Sequence, residues 1–301
     1  MSNRTIKNLL LRTWYTFADI YRLYAIRCRY RLTIKNSIKT IKYIKKSGCS
    51  IARYGDGEFD LMMQVRPEGY QEISDSLSNA LQDVFKNSSK HLLICLPYPI
   101  VSTKRLKRHG KKFWRGWWLS RQKQIVTELR KLISADYTFG DSFVSRPYSG
   151  YVSPKYSQKL FMLLKELWND KDILFVEGNQ SRLGVGNDLF DNAKSIKRIL
   201  CPAENAFDVY DRILKTTLSC WRGELVILAL GPTATVLASD LSKNGVQALD
   251  LGHIDIQYEW YLTGTSFAPV KGKYTNEAHS GSQVERCEDE TYLSQIIAEV
   301  K

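Results

Sequence analysis

Residues 224–230 read Glu-Leu-Val-Ile-Leu-Ala-Leu and run directly into Gly-Pro-Thr-Ala-Thr at 231–235. A strand that is apolar on both faces must be covered on both, as happens in the interior of a parallel sheet. Short apolar runs of the same kind occur at 50–54, 91–96, 172–177, 196–200 and 247–251. Between and after them lie stretches of helical length and periodicity at 73–87, 117–134, 155–169, 205–218, 232–244 and 288–299. This alternation predicts an α/β fold, a Rossmann-like, mainly parallel sheet flanked by helices. Ligands of such sheets bind at the carboxyl ends of the strands, so the loops after the strands are where chemistry is expected.

The charge is concentrated at one end. Residues 1–46 hold twelve Lys and Arg and a single acid, Asp19, so they carry eleven of the thirteen net positive charges. The segment is free of Pro and Gly, and Ile34, Ile38, Ile41 and Ile44 repeat at helical spacing among lysines. It predicts a basic amphipathic helical arm, residues 1–46, ahead of a catalytic body at 47–301. Residues 4–31 are expected to contact an anionic membrane surface. For residues 34–46 two readings stand: the same membrane contact, or a helix docked on the body with its basic face in water. No nucleic-acid-binding motif accompanies the charge, so no nucleic-acid partner is expected.

The six cysteines show neither C-x-x-C spacing nor a disulfide framework, which suggests reduced thiols and a cytoplasmic chain. Neither a secretory leader nor an 18-residue apolar run is expected to direct the chain elsewhere; a peripheral position on the inner membrane face is compatible with the arm.

The loops concentrate carboxylates, glycines and arginines. Arg53-Tyr54-Gly55-Asp56-Gly57-Glu58 follows the first run. Its two carboxylates at i and i+2 in a turn suit Mg²⁺ or Mn²⁺, and Gly55 lets a ligand approach the backbone. The alternative is a polar surface turn. Residues 177–188 place three glycines and Arg182 between a buried run and an expected helix, a pattern that suits a diphosphate, with Gly184 in the loop; the alternative is a flexible connecting loop. Gly231 permits close approach, and Thr233 is expected to cap the helix that follows. In Asp250–Trp260, His253 is a candidate metal ligand or acid/base, with Asp255 or Glu259 as its neighbour or as the base itself. Arg146, before Pro147, either faces donor phosphates or forms a structural ion pair. The cation run 104–118, with three tryptophans, reads either as a mobile lid or as a solvated loop with its tryptophans in the core.

The co-linear segments Arg-Tyr-Gly-Asp-Gly-Glu (53–58), Phe-Gly-Asp-Ser-Phe-Val-Ser-Arg-Pro-Tyr (139–148), Glu-Gly…Ser-Arg-Leu-Gly-Val-Gly-Asn-Asp (177–188), Cys-Pro-Ala-Glu-Asn-Ala-Phe (201–207), Gly-Pro-Thr-Ala-Thr (231–235) and Asp-Leu-Gly-His-Ile-Asp-Ile-Gln-Tyr-Glu-Trp (250–260) resemble the GT-D type glycosyltransferases. The resemblance runs from about residue 48 to 262 and leaves out the basic arm and the tail. It implies a Rossmann-like fold, a UDP-sugar donor, a divalent metal (Mn²⁺ or Mg²⁺) and a glycan acceptor that is lipid-linked or protein-linked. It further implies that Asp56 and Glu58 form the D-x-E element, that Arg182 and Gly184 lie near the diphosphate, and that Asn205 lies on the nucleotide side. His253 and Glu259 would sit at the active centre. Two other readings of the same residues are a metal-dependent phosphohydrolase and a non-enzymatic adaptor that binds through the arm.

Overall fold

A computed structural model describes residues 32–87, 90–278, 281 and 284–301. The membrane contact expected of residues 4–31 lies outside the described residues. Nine strands form one sheet: β1 (Thr33–Ile34), β2 (Ser50–Arg53), β3 (Leu92–Leu96), β4 (Thr138–Asp141), β5 (Asp172–Gly178), β6 (Ser195–Cys201), β7 (Leu225–Ala229), β8 (Ala248–Asp250) and β9 (Ile296–Glu299). Their order is β1-β4-β3-β2-β8-β7-β5-β6-β9, and every pairing is parallel. The sheet therefore divides into an N-terminal half and a C-terminal half. They meet at a seam where β2 pairs with β8 through Ile51 and Leu249.

Alternation of side chains explains why both faces are covered. Leu174, Val176, Val226 and Leu228 enter one apolar layer, and Ile173, Phe175, Leu225 and Ile227 the other. Each such fully buried side chain contributes roughly 1.5–3 kcal/mol. The flanking helices are α1 (Ser37–Ser47), α2 (Asp56–Met62), α3 (Asp75–Lys86), α4 (Arg108–Leu132), α5 (Pro154–Trp168), α6 (Tyr210–Cys220), α7 (Pro232–Lys243), α8 (Ile254–Thr263) and the short α9 (Glu290–Ser294). No described helix is long and apolar enough to cross a membrane.

Residues 34–46 follow the second of their two readings. Asn36 caps α1 by accepting from Lys39 N, Ile41 and Ile44 are buried, and Lys39, Lys42, Lys45 and Lys46 face water. The sheet and core thus take in residues 33–47.

Several expectations are corrected. The cation run 104–118 is no loop beyond Lys107: α4 starts at Arg108, and Trp114 and Trp118 are buried on its inner side. Asp56 and Glu58 lie in the first turn of α2 rather than in an open turn. No helix follows the glycine-rich segment after β5, which passes through turns directly into β6. The 205–218 helix opens as a 3₁₀ turn at Ala206–Val209. The stretch 288–299 splits into α9 and the edge strand β9. Strands β1, β4 and β9 were absent from the sequence expectation because two are edges and β4, Thr-Phe-Gly-Asp, is short and polar.

Candidate active site

A cleft of about 570 Å³ opens at the carboxyl ends of β2, β4, β5, β6, β7 and β8, across the seam. The seam is pinned at its floor. Arg53 Nη2 lies 2.7 Å from Asp250 Oδ1, Arg53 N donates to Asp250 Oδ2, and Thr235 Oγ1 donates to the Arg53 carbonyl. A third donor, Arg53 Nη1, reaches Ser145 Oγ. Arg53 lines the cleft, but its guanidinium is largely committed to holding the two halves together.

The carboxylates of the D-x-E element both line the cleft. Glu58, at the third position of α2, accepts from Gly55 N at 2.6 Å and so caps its own helix. A Cβ on Gly55 would stand 2.9 Å from that carboxylate, which accounts for the glycine. Burial pushes Glu58 up to about 7, against the pull of Arg53 and the Gly55 N–H, and Asp250 adds to the rise. Burial likewise raises Asp56, with Arg146 opposing. A third carboxylate, Glu68, folds over Gly57, where a Cβ would lie 2.7 Å from its carboxyl carbon. Glu68 is raised by burial and by Asp56, and its Oε1 is buried without a hydrogen-bond partner. Arg66 only partly offsets this acidity, at 3.4 Å from Asp56 and 3.7 Å from Glu68.

Opposite them stands a second group. Arg146 Nη1 pairs with Glu277 Oε1, and Glu277 Oε2 lies 3.2 Å from His253 Nε2, off hydrogen-bond alignment. All three side chains line the cleft. Burial lowers the His253 imidazole, Arg146 lowers it further, and Glu277 only partly opposes, so at neutral pH the ring is uncharged. Burial alone would raise Glu277. His253 and Arg146 outweigh it and hold the carboxyl well below its usual range, and with the ring neutral the Arg146 guanidinium is the partner that matters. Arg146 therefore faces the cleft and makes an ion pair at once, so the two sequence readings of it coexist.

The remaining candidates divide between the wall of the cleft and its surroundings. Gly231 lines it at φ 53°, and a Cβ there would meet the Tyr70 ring at 2.4 Å. Thr233 caps nothing: Gly231 is the N-cap of α7, and the Thr233 hydroxyl is buried without a hydrogen-bond partner. Arg182 donates to the carbonyls of Gly272 and Glu285 and so holds down the C-terminal segment. Gly184 N donates to Asp255. Asn205 accepts from Glu72 N, and its own N–H reaches the Tyr70 carbonyl, which fixes the loop carrying Glu68 and Tyr70. Asp255 borders the cleft but is fully buried and pairs with Lys273 Nζ at 2.6 Å. Glu259 is not among the lining residues, and its carboxylate accepts from Lys273 and Asn187.

Sequence reasoning missed Glu68, Tyr70, Asp250, Lys273 and Glu277. Asp250 alone carried a signal, as the acid ending a buried run. Glu277 and Lys273 belong to the 270–278 segment, which has no periodicity and forms the outer wall of the cleft through Tyr274, Thr275 and Asn276.

The sequence model of the family described as Glycosyltransferase GT-D fold matches residues 51–278. The match takes in Glu277 and so runs past 262, where the resemblance read from the sequence stopped. The chain is 37% identical over 270 residues, 89% of its length, to a probable glycosyl transferase Gly of Streptococcus gordonii, of which it covers 39%. It is 36% identical over 271 residues to glycosyltransferase GlyD of Streptococcus pneumoniae serotype 4, again over 89% of this chain and 33% of the relative. The chain thus spans between a third and two fifths of the length of the curated relatives it matches. A solved structure described as domain of unknown function 1792 with a distinct glycosyltransferase fold superposes at a TM-score of 0.83, with 37% identity over 95% of this chain and 99% of the other. A glycosyltransferase of the same domain from Streptococcus sanguinis superposes at 0.82, with 36% identity over 90% of this chain and 100% of the other.

Proposed function

Since the chain belongs to the glycosyltransferases of the GT-D fold, we propose that it moves a hexose from a UDP-sugar to a glycan acceptor in surface polysaccharide or glycoprotein biosynthesis. The observation that carries this reading is the pairing across one cleft of an under-compensated carboxylate cluster (Asp56, Glu58, Glu68) with the Arg146–Glu277–His253 group.

The donor set fits a hard divalent cation, Mn²⁺ or Mg²⁺. Its members are all carboxylates, one has a buried oxygen without a hydrogen-bond partner, and Glu58 is short of neutralising charge. Among the described residues no three or more His, Cys, Asp or Glu are arranged to enclose a metal. The ion proposed is one bound through one or two carboxylates and completed by substrate phosphates and water. Asp56 and Glu58 would hold the ion, which when bound supplies neutralising charge for the departing diphosphate.

The chain's own side chains do the rest. Arg146, part-buried and aimed into the cleft, binds phosphate oxygens and stabilises charge that grows on the leaving group. Gly231 leaves room for the Tyr70 ring, which lines the cleft beside it, and Gly178 lets the backbone after β5 approach a ligand. The neutral His253 imidazole accepts the acceptor hydroxyl proton, and Glu277 stabilises the imidazolium that results. Asp255 and Glu259 hold the loop at 184–187 and Lys273 in place. The basic arm supports action at the anionic inner face of the membrane, on a lipid-linked or protein-linked acceptor.

Calorimetric titration of UDP with and without Mn²⁺, on the wild type and Glu58→Gln, tests the proposal. Metal-dependent binding that the variant loses is expected. Absence of UDP binding under every condition, with release of phosphate from simple esters, would replace the transferase reading by the phosphohydrolase one.

A further inference from the structure

Beside the cleft, on the same edge of the sheet, lies a separate cavity of about 180 Å³. Its walls come from the segments that leave β1, β3 and β4. They present three tyrosine rings, Tyr98, Tyr151 and Tyr156, with Ser37 at the base and Lys104 and Arg105 at the edge. Only Lys104 and Arg105 were singled out in the sequence, as the start of the cation run at 104–118. One aromatic contact divides the cavity from the cleft: the ring of Phe143, which lines the cleft, packs 6.3 Å from the ring of Tyr151.

The base of the cavity is rigid and polar. The Ser37 hydroxyl donates to Asp141 Oδ2 at 2.6 Å and lies 3.0 Å from the Tyr151 hydroxyl. Asp141 is fully buried, and its other oxygen accepts from Tyr98 N and Phe143 N. The rim is cationic. Neither Lys104 nor Arg105 forms an ion pair with a carboxylate among the described residues. The Arg105 guanidinium lies 4.4 Å from the centre of the Tyr156 ring, over its face. Stacking occupies one face of the guanidinium and leaves the N–H groups around its edge able to grip a planar or tetrahedral oxyanion with two parallel bonds. Both cations are exposed, so their charge is available at the entrance.

Aromatic faces with hydroxyl groups at the base and unpaired cations at the rim are the chemistry of an anionic sugar. The rings take the C–H face of a pyranose, the hydroxyls take its hydroxyls, and the cations take a phosphate or carboxylate. The volume suits one such unit. We propose that this cavity binds an anionic saccharide residue of the glycan acceptor, a sugar phosphate or a uronate, and so selects acceptors at a place removed from the bond being made. The proposal rests on the transferase reading of the neighbouring cleft and names the chemical class of its acceptor.

The test titrates glucose 6-phosphate, glucuronate, glucose and inorganic phosphate separately into the intact protein, followed by ligand-detected NMR. Wild type, Arg105→Ala and Tyr156→Phe are compared, and UDP titration serves as the folding control. Binding of glucose 6-phosphate or glucuronate that exceeds both glucose and phosphate, and that weakens about tenfold in Arg105→Ala, is expected. A preference for glucose 6-phosphate over glucuronate would assign a phosphate, and the reverse a carboxylate. Tyr156→Phe keeps the ring and should retain most of the affinity. Equal binding to wild type and Arg105→Ala, no binding of any sugar, or phosphate binding as well as glucose 6-phosphate would overturn the proposal. If UDP still binds in that case, only the cavity assignment falls; if UDP fails to bind to the wild type, the transferase reading falls first.

Discussion

Asp141 sets burial against hydrogen bonding in a way that can be measured. The side chain is fully buried at the end of β4 and accepts from the Ser37 hydroxyl, Tyr98 N and Phe143 N. Burial wins: it pushes the carboxyl up to about 6 from a usual 3.8, although the Ser37 hydroxyl and the Phe143 and Tyr98 N–H groups pull it down. The folded state therefore holds this proton more tightly than the unfolded state does. That contribution to stability is fully present below the unfolded pKa and is lost as pH rises through about 6. The whole rise corresponds to about 3 kcal/mol, of which roughly 2 kcal/mol falls between pH 4.5 and pH 8. Asp141→Asn keeps the shape: its carbonyl oxygen can accept from Tyr98 N and Phe143 N, and its amide can donate to Ser37 Oγ. The variant lacks the titration. Urea denaturation at the two pH values should therefore show the variant gaining on the wild type by about 2 kcal/mol as pH rises from 4.5 to 8. A gap that stays constant with pH, or one that moves toward the wild type, would mean that the hydrogen bonds outweigh burial and the carboxylate is the favoured form.

Other outcomes follow from the same structure. Lys273→Met leaves the buried Asp255 and the half-buried Glu259 without a cation, so a loss of roughly 3–5 kcal/mol is expected in denaturant midpoint experiments; a loss under about 1 kcal/mol would show that the two carboxylates are stabilised in some other way. Gly231→Ala forces a Cβ into the Tyr70 ring at a φ of 53°. It should lower stability by about 1–3 kcal/mol and weaken UDP at least in proportion, and unchanged UDP affinity by calorimetry would remove Gly231 and Tyr70 from the donor site. Removing residues 1–31 should abolish sedimentation with phosphatidylserine vesicles at low salt while leaving UDP binding intact; equal sedimentation of both forms would rule out the arm as an anchor.

The central sheet was legible because its strands are buried on both faces. Runs such as Leu225–Ala229 and Asp172–Gly178 have no polar alternative, and the glycines and caps beyond them mark where each strand ends. Edge strands gave no such signal, since β1 is two residues long and β9 alternates half-buried with exposed positions. At the site, Asp56, Glu58 and His253 stood out because each follows a buried run at the carboxyl edge, and Arg146 because it precedes a proline in an extended loop. Glu277 and Lys273 did not, because position in a loop carries no period and only the folded chain brings them to β8 and α8. The tryptophan-rich cation run misled for a different reason. Its charges occupy the outer side of α4 and its indoles the inner side, so density of charge concealed an ordinary amphipathic helix.

The seam between β2 and β8 also bears on how the molecule assembles. Strands β1–β4 come from the first half of the chain and β5–β9 from the second, and each set pairs within its own half. Arg53 and Asp250, which clasp the seam, stand 197 positions apart. Contacts so distant require closure of a very long loop before anything compensates, which makes them late events in folding. The cleft comes into being only when the two halves join, because its walls are drawn from both. A nucleotide lying across that junction would therefore act as a clasp, slowing separation of the halves and raising the unfolding temperature further as its free concentration climbs above its dissociation constant.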